Sequence, residues 1–317
     1  MNFRTYKDLA DCINKNIGKI PKDIDLVVGI PRSGTMVANM IALYLNLPFM
    51  DLNSFIGRGE IKTGSTRKCI SWIKSVDDAK HVLVVDDSIS SGKAIREAKH
   101  KIAESCLPCK ATYLAIYALG ISCKMADIYF EICEQPRMFE WNYMHHWALE
   151  FSCMDIDGVI CDNPLFWQND DGRRYQDFVA NAVPRFVPTQ KVGYLVSCRL
   201  EKYRADTEKW LQLFGVKYDH LILPNNISAK ERMYDFNHAA YKAQIYQESK
   251  CIMFFESDYD QALEICRLSG KPVFCVDKRE MITGDNVLEK IVNRNREWRV
   301  TFKRVVKKIL KKINYVE

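Results

Sequence analysis

Two hydrophobic patterns take turns along this 317-residue chain. Short apolar runs rich in β-branched residues occur at Leu26–Ile30, Val82–Val85, Thr112–Ala118, Asp127–Ile132, Phe151–Met154, Val192–Val196, Leu221–Leu223 and Cys251–Phe255. Runs of this length and composition predict strands buried on both faces. Between them, apolar positions return every three or four residues. Leu9, Ile13 and Ile17 mark a helix over Tyr6–Ile17, and Met36, Val37, Met40, Ile41 and Leu45 mark a second. Ile95, Ala98 and Ile102, the stretch Arg204–Phe214 and the run Ala229–Gln247 predict three more. Strand and helix in alternation predict α/β architecture with mostly parallel sheets, and the length predicts two such domains joined near residues 148–150.

Polar residues at the ends of these runs carry the candidate chemistry. Val82–Val85 leads into two adjacent carboxylates, Asp86 and Asp87, and then into Ser88-Ile89-Ser90-Ser91-Gly92 before a helix opens at Lys93. A strand, a small-residue loop and a helix N-terminus present free backbone N–H groups to an anion. Two acids beside that cradle would repel a bare phosphate, so the pattern fits a ligand with hydroxyls for the acids and a phosphate for the loop. Upstream, Gly29-Ile30-Pro31-Arg32-Ser33-Gly34 makes a tight turn into a helix, and Arg32 offers a fork for phosphate oxygens. Between the two motifs, residues 54–68 hold three glycines and four basic side chains with weak periodicity, as expected of a cationic lid.

A second set begins at Asp155-Ile156-Asp157-Gly158, after the strand Phe151–Met154. In an extended chain, residues two apart face the same side, so both carboxylates are expected to converge on one cation. Ser197 follows Val192–Val196, Lys242 lies on the run Ala229–Gln247, and Glu256, Asp258 and Asp260 follow Cys251–Phe255. Lys230 is a weaker alternative to Lys242, because it comes too early in its helix.

Charge changes the picture at one place. The formal net charge is +6, and residues 299–317 alone hold seven basic side chains against Glu317, so the remainder is balanced. A balanced body argues against nucleic acid as a partner. In the tail, Val305, Val306, Ile309, Leu310 and Ile313 return at helical spacing between basic pairs, as in a helix lying on an anionic bilayer surface; packing on protein is the alternative. Twelve cysteines, with no apolar leader after Met1 and no run long enough to span a bilayer, are expected of a reducing, cytoplasmic setting. The pair Cys106 and Cys109 has no second pair to complete a zinc site.

Taken together, Gly29–Gly34 and Val82–Gly92 resemble the pyrophosphate loop and the phosphoribosyl pyrophosphate (PRPP) signature of type I phosphoribosyltransferases, nearest the orotate branch. The resemblance covers residues 1–147. It implies that Asp86 and Asp87 hold the ribose hydroxyls, that Ser88, Ser90, Ser91 and Gly92 hold the 5-phosphate, and that Arg32, Ser33 and Gly34 form the pyrophosphate site with Mg²⁺. Purine-salvage members carry an aspartate where this chain has Ser90, which weakens a purine reading. Over residues 148–290, the ordered set Asp155, Asp157, Ser197, Lys242 and Glu256 resembles the haloacid-dehalogenase phosphohydrolases. That resemblance implies a Rossmann-like fold with Asp155 as nucleophile, Asp157 as acid/base, Ser197 on the phosphoryl oxygens and Lys242 neutralising charge. Asp155, Asp157 and Glu256 would hold Mg²⁺, with Asp258 or Asp260 sharing the role of Glu256. About 35 residues after Asp157 and about 40 after Ser197 leave no room for a large closing cap, a feature associated in that superfamily with bulky substrates.

A transferase that installs 5-phosphoribose and a phosphatase that removes the phosphate together deliver plain ribose. The arrangement resembles proteins that add ribofuranose to bacterial surface polysaccharides. It implies PRPP as donor, a glycan acceptor carried on lipid, and residues 291–317 as a basic tail helix at the inner membrane face. The alternatives are a nucleobase phosphoribosyltransferase coupled to a nucleotide phosphatase, and a PRPP-sensing regulator of nucleic acid.

Overall fold

The computed structural model describes residues 1–63, 73–225 and 236–297. Part of the expected lid, Lys230 and the tail 298–317 therefore lie outside the described residues. The chain divides into two units, Asn2–Trp141 and the residues from Asn142 onward, so the aromatic stretch Phe139–Trp147 straddles the division.

In the first unit, β1 (Asn2–Arg4) leads into α1 (Tyr6–Asn16), whose first turn is closed by a reciprocal Thr5–Asp8 capping box. There follow β2 (Leu26–Gly29), α2 (Ser33–Leu45), β3 (Phe49–Asp51), α3 (Leu52–Ile56), β4 (His81–Ile89), α4 (Lys93–Glu104), β5 (Lys110–Ala118), β6 (Ile128–Ile132) and β7 (Arg137–Phe139). Five strands form a wholly parallel sheet in the order β3-β2-β4-β5-β6. One face packs on α1 and α2 through Leu9, Ile13, Val37 and Ile41, and the other on α3 and α4 through Phe55, Ile95 and Ala98. The β1 and β7 strands pair with each other in a separate parallel ribbon, which the hydrophobic pattern did not reveal.

The expected strand Val82–Val85 is the apolar first part of a longer one. β4 continues through Asp86, Asp87 and Ser88 to Ile89, pairing Asp86 with Ala115 and Ser88 with Tyr117 on β5. On its other side β2 stops pairing at Gly29, opposite Val85. The open flank is filled by the start of α2. A Cβ on Gly34 would lie 2.7 Å from the Val85 carbonyl oxygen and 3.0 Å from the Asp86 Cα, so only glycine lets the helix start this close.

The second unit contains β8 (Ser152–Met154), α5 (Arg173–Asn181), β9 (Val192–Val196), α6 (Arg204–Leu213), β10 (Tyr218–Ile222), α7 (His238–Glu248), β11 (Met253–Glu256), α8 (Tyr259–Ser269), β12 (Val273–Cys275) and β13 (Glu280–Ile282). Six strands run in the order β10-β9-β8-β11-β12-β13, all parallel except the last pair. Between Asp157 and β9 the regular elements are α5 and one short turn of 3₁₀ helix at Phe166–Gln168, so no cap domain is inserted there. Among the described residues, no helix is long and apolar enough to cross a membrane.

Both sheets reverse direction once. In the first, α2 carries the chain outward from β2 to β3 while β4, β5 and β6 progress the other way; in the second, β8 to β10 and β11 to β13 diverge likewise. Crevices at the carboxyl ends of strands open at such reversals, here between β2 and β4 and between β8 and β11. The tight helix start predicts that Gly34→Ala lowers stability by about 1–3 kcal/mol, since the obstructing atoms are backbone. Urea denaturation of the variant checks this; an unchanged midpoint would mean that the helix start can withdraw freely.

Candidate functional site

The first crevice holds the two adjacent acids. Both are buried, at 7 % and 5 % exposure, yet their surroundings differ. Asp87 is clamped on both oxygens: the Ser33 hydroxyl donates to Oδ1 at 2.8 Å and the Trp141 indole N–H to Oδ2 at 2.7 Å. Asp86 accepts the Asp87 backbone N–H at 3.0 Å. Burial, reinforced by the neighbouring Asp87, pushes the Asp86 carboxyl up to about 8. Adjacent residues of a strand point to opposite faces, so one acid meets the clamp and the other does not.

Beyond the acids, Ser88, Ser90, Ser91 and Gly92 line a cavity of about 330 Å³ together with Asp86 and the first turn of α4. Gly92 adopts a left-handed conformation (φ 70°) as the N-cap of α4, and the Ser91 hydroxyl accepts the Lys93 N–H only at 3.4 Å. The first amides of α4 thus face the cavity side of the loop, as an anion site requires. The loop is tied down from behind: Arg96 donates to the Ser91 carbonyl at 2.9 Å and the buried Arg137 to the Ile89 carbonyl at 2.9 Å. Arg32 stands exposed at the start of α2, after a cis Pro31–Arg32 peptide, and Ser33 reaches the acids as described. The structure therefore brings Ser33, Gly34, Asp86, Asp87 and the loop from Ser88 to Gly92 together on one crevice.

In the second unit, Asp155 follows β8 and Glu256 ends β11, and the Asp155 N–H donates to the Phe255 carbonyl across the crevice at 3.0 Å. Lys242, 2 % exposed on the apolar face of α7, donates to Asp155 Oδ2 and Glu256 Oε2, each at 2.6 Å, and to Gln261 Oε1 at 3.1 Å. Ser197 directly follows the neighbouring strand β9 and is fully buried. Burial drives the Asp155 carboxyl up, to about 7, although Lys242 pulls it down. Burial also opposes the charge on Lys242, but Asp155 and Glu256 outweigh it and the ammonium is held well above its ordinary range.

Asp157 has a partner that the sequence reading did not name, a cation of its own apart from Lys242. The strand has ended at Met154, and the chain coils back so that the Ile160 N–H reaches the Ile156 carbonyl at 2.9 Å. The alternation of an extended chain no longer applies. Asp157 instead turns to the fully buried Arg199, which donates to Oδ1 at 2.6 Å through Nη2 and to both oxygens at 3.2 Å through Nε. Arg199 also reaches the Thr207 hydroxyl at 3.3 Å and lies over the Phe178 ring. Asp258 and Asp260 are committed elsewhere, Asp258 capping α8 through the Gln261 N–H and Asp260 pairing with Arg294. Among the described residues, no group of three or more His, Cys, Asp or Glu is arranged to hold a metal.

Mg²⁺ can nevertheless be tested on the donors present. Asp155 and Glu256 are hard oxygen ligands of the kind it takes. Three carboxyl groups, those of Asp155, Asp157 and Glu256, are paired with two cationic side chains, Lys242 and Arg199. Asp155 and Glu256 fit such an ion, while the Asp157 side chain is engaged by Arg199.

Sequence reasoning missed Arg199, Trp141 and Arg137. Arg199 stands two residues after Ser197, a legible spacing, and Trp141 lies in the noted aromatic stretch. Nothing local ties either to an acid 42 or 54 positions away.

Two outcomes follow from these environments. Folding binds the Asp86 proton more tightly than the unfolded chain does, with the carboxyl moving from 3.8 to about 8. Its contribution to stability is fully present below the unfolded value and is lost as pH rises through the folded one. Asp86→Asn removes that loss, so its Tm falls less than that of the wild type between about pH 5 and about pH 9; parallel Tm profiles would show that Asp86 does not titrate in this window. Lys242→Met leaves two buried carboxylates without their cation and is expected to cost about 3–5 kcal/mol in chemical denaturation. A cost under about 1 kcal/mol, the range of an exposed pair, would show that water reaches the cluster.

Residues 3–145 match the phosphoribosyl transferase domain family. Among curated proteins, amidophosphoribosyltransferases of Staphylococcus aureus are 31% identical over 94 residues, which is 27% of this chain. The chain spans 19% of the length of those relatives. Among solved structures, it is similar to the xanthine-guanine-hypoxanthine phosphoribosyltransferase of Helicobacter pylori, at 15% identity and TM-score 0.32, over 44% of this chain and 90% of that one. It is also similar to the orotate phosphoribosyltransferase of Aeropyrum pernix, at 17% identity and TM-score 0.28, over 40% and 70% of the two chains.

Proposed function

We propose that this chain transfers 5-phosphoribose from PRPP to a glycan hydroxyl in its first unit and removes the 5-phosphate in its second. The observation that carries the reading is the presence, in one chain, of a crevice that joins two adjacent acids to a small-residue loop at a helix start, within residues that match the phosphoribosyl transferase domain family, and a second crevice where an acid pair meets a buried lysine. A nucleotide-making enzyme keeps the phosphate it installs. A ribosylating enzyme has reason to remove it.

In the first step, the amides and hydroxyls of Ser88 to Gly92 take the 5-phosphate, Asp86 and Asp87 take the ribose diol, and Arg32 with Ser33 takes the pyrophosphate. The bond from the anomeric carbon to pyrophosphate breaks, a bond to the acceptor oxygen forms, and the acceptor hydroxyl releases its proton. Phosphate binding at the start of α4 follows the physics of helix N-termini.

In the second step, Asp155 attacks phosphorus and Asp157 gives its proton to the departing sugar oxygen. Asp157 then takes a proton from the water that opens the phosphoaspartate. Lys242 holds Asp155 in place and balances the charge gathered on the phosphoryl oxygens, with Ser197 donating to one of them. Mg²⁺ on Asp155 and Glu256 would polarise the phosphoryl group. The absence of an inserted cap between Asp157 and β9 supports a bulky acceptor, and the basic amphipathic sequence Trp298–Tyr315 supports work at an anionic membrane surface where lipid-linked glycans are assembled.

Mass spectrometry of glycan acceptors incubated with PRPP and Mg²⁺ tests the reading. The wild type is expected to add one pentose without phosphate. Asp155→Asn is expected to release pyrophosphate normally and to accumulate the phosphorylated pentose adduct. Loss of the transfer step in that variant would overturn the division into two sites, and rapid formation of nucleosides from orotate or purines would replace the glycan by a nucleobase as acceptor.

A further inference from the structure

The β1–β7 ribbon stands outside both sheets, yet two side chains, one at the start of β7 and one just beyond its end, reach the donor crevice. Arg137, the first residue of β7, is 4 % exposed. Its Nη2 donates to the Ile89 carbonyl at 2.9 Å and its Nη1 to the Cys133 carbonyl at 3.2 Å, with the guanidinium over the Phe139 ring. Among the described residues no carboxylate lies within ion-pair distance of it. The Ile89 carbonyl also accepts weaker bonds from the Leu119 N–H and the Ser122 hydroxyl, so it is a fixed post between Asp87 and the phosphate loop.

Trp141 follows β7 by two residues. Its ring stacks on Phe139 with centroids 4.8 Å apart and planes 6° apart, and Phe139 stacks in turn on Tyr117, the β5 partner of Ser88. This column fixes the indole so that its N–H meets Asp87 Oδ2 at 2.7 Å. The ribbon itself is held by backbone pairing of Arg4 with Phe139 and by the Tyr6 N–H donating to Glu140 at 2.7 Å.

We propose that Trp141 and Arg137 are positioning residues of the donor site: the indole N–H orients Asp87 toward the ribose diol, and Arg137 holds the Ile89 carbonyl so that the loop from Ser90 to Gly92 keeps its distance from that acid. The ribbon is then a brace that sets the spacing between the hydroxyl-binding and phosphate-binding halves of one ligand. This inference rests on PRPP being the donor.

The test measures binding of PRPP, ribose 5-phosphate and inorganic pyrophosphate, each with Mg²⁺, to the full chain by titration calorimetry. Trp141→Phe keeps the aromatic column and deletes only the N–H. It is expected to weaken PRPP and ribose 5-phosphate by about tenfold, the scale of a lost hydrogen bond to a charged group, while pyrophosphate affinity stays the same. Arg137→Met is expected to weaken ribose 5-phosphate in the same selective way, with Arg137→Lys restoring part of the affinity. Unchanged ribose 5-phosphate affinity in Trp141→Phe, or equal weakening of ribose 5-phosphate and pyrophosphate, would overturn the brace. A wild type that binds ribose 5-phosphate but not PRPP would remove the donor reading itself, and one that binds neither sugar phosphate would remove both.

Discussion

A carboxylate buried at the end of a parallel strand is costly unless another group meets it. Each half of this chain buries such acids at the point where its sheet reverses direction, and each supplies the partner from an element distant in sequence. In the first unit, Ser33 from α2 and Trp141 beyond β7 take the two oxygens of Asp87. In the second, Lys242 from α7 bridges Asp155 and Glu256, and Arg199 after β9 takes Asp157. Remove these partners and the crevices lose the groups that make them tolerable to bury.

The two sites share a logic of unequal twins. Asp86 and Asp87 are neighbours in sequence, but only one meets a clamp, and the other is driven toward its neutral form by burial. Asp155 and Asp157 divide similarly: the first shares a lysine with a third acid, while the second has an arginine to itself. Pairs of carboxylates placed in different environments can take different protonation roles at one pH. In the first crevice the difference separates an acid held on both oxygens from one that is not; in the second it separates an acid beside a lysine from one beside an arginine.

Packing makes both arrangements rigid. The acids of the first unit continue a strand paired with β5 on one side and pressed by the start of α2 on the other, where Gly34 leaves no spare room. The lysine of the second lies on a helix face whose neighbours Ala239, Ala243 and Tyr246 are buried, so its ammonium has few places to go other than the two acids. Preorganised groups of this kind do not have to be gathered when a substrate arrives.

Hydrophobic periodicity by itself determined the alternation of strands and helices, because burial on both faces of a parallel sheet leaves an unmistakable run such as Val82–Val85. The small-residue loop after Asp87, the turn Gly29–Gly34 and the acids after each run were legible for the same reason: local backbone geometry demands those residue types. Tertiary structure alone decided what faces each acid. The period of two that paired Asp157 with Asp155 ends with the strand at Met154, and what meets the Asp157 carboxylate is Arg199. Arg199, Trp141 and Arg137 carry no local mark of their roles, since a hydrogen bond across 42, 54 or 48 positions depends on strand order and helix packing rather than on neighbours in sequence. The ribbon of β1 and β7 was hidden likewise, being two three-residue strands too short for any period to register.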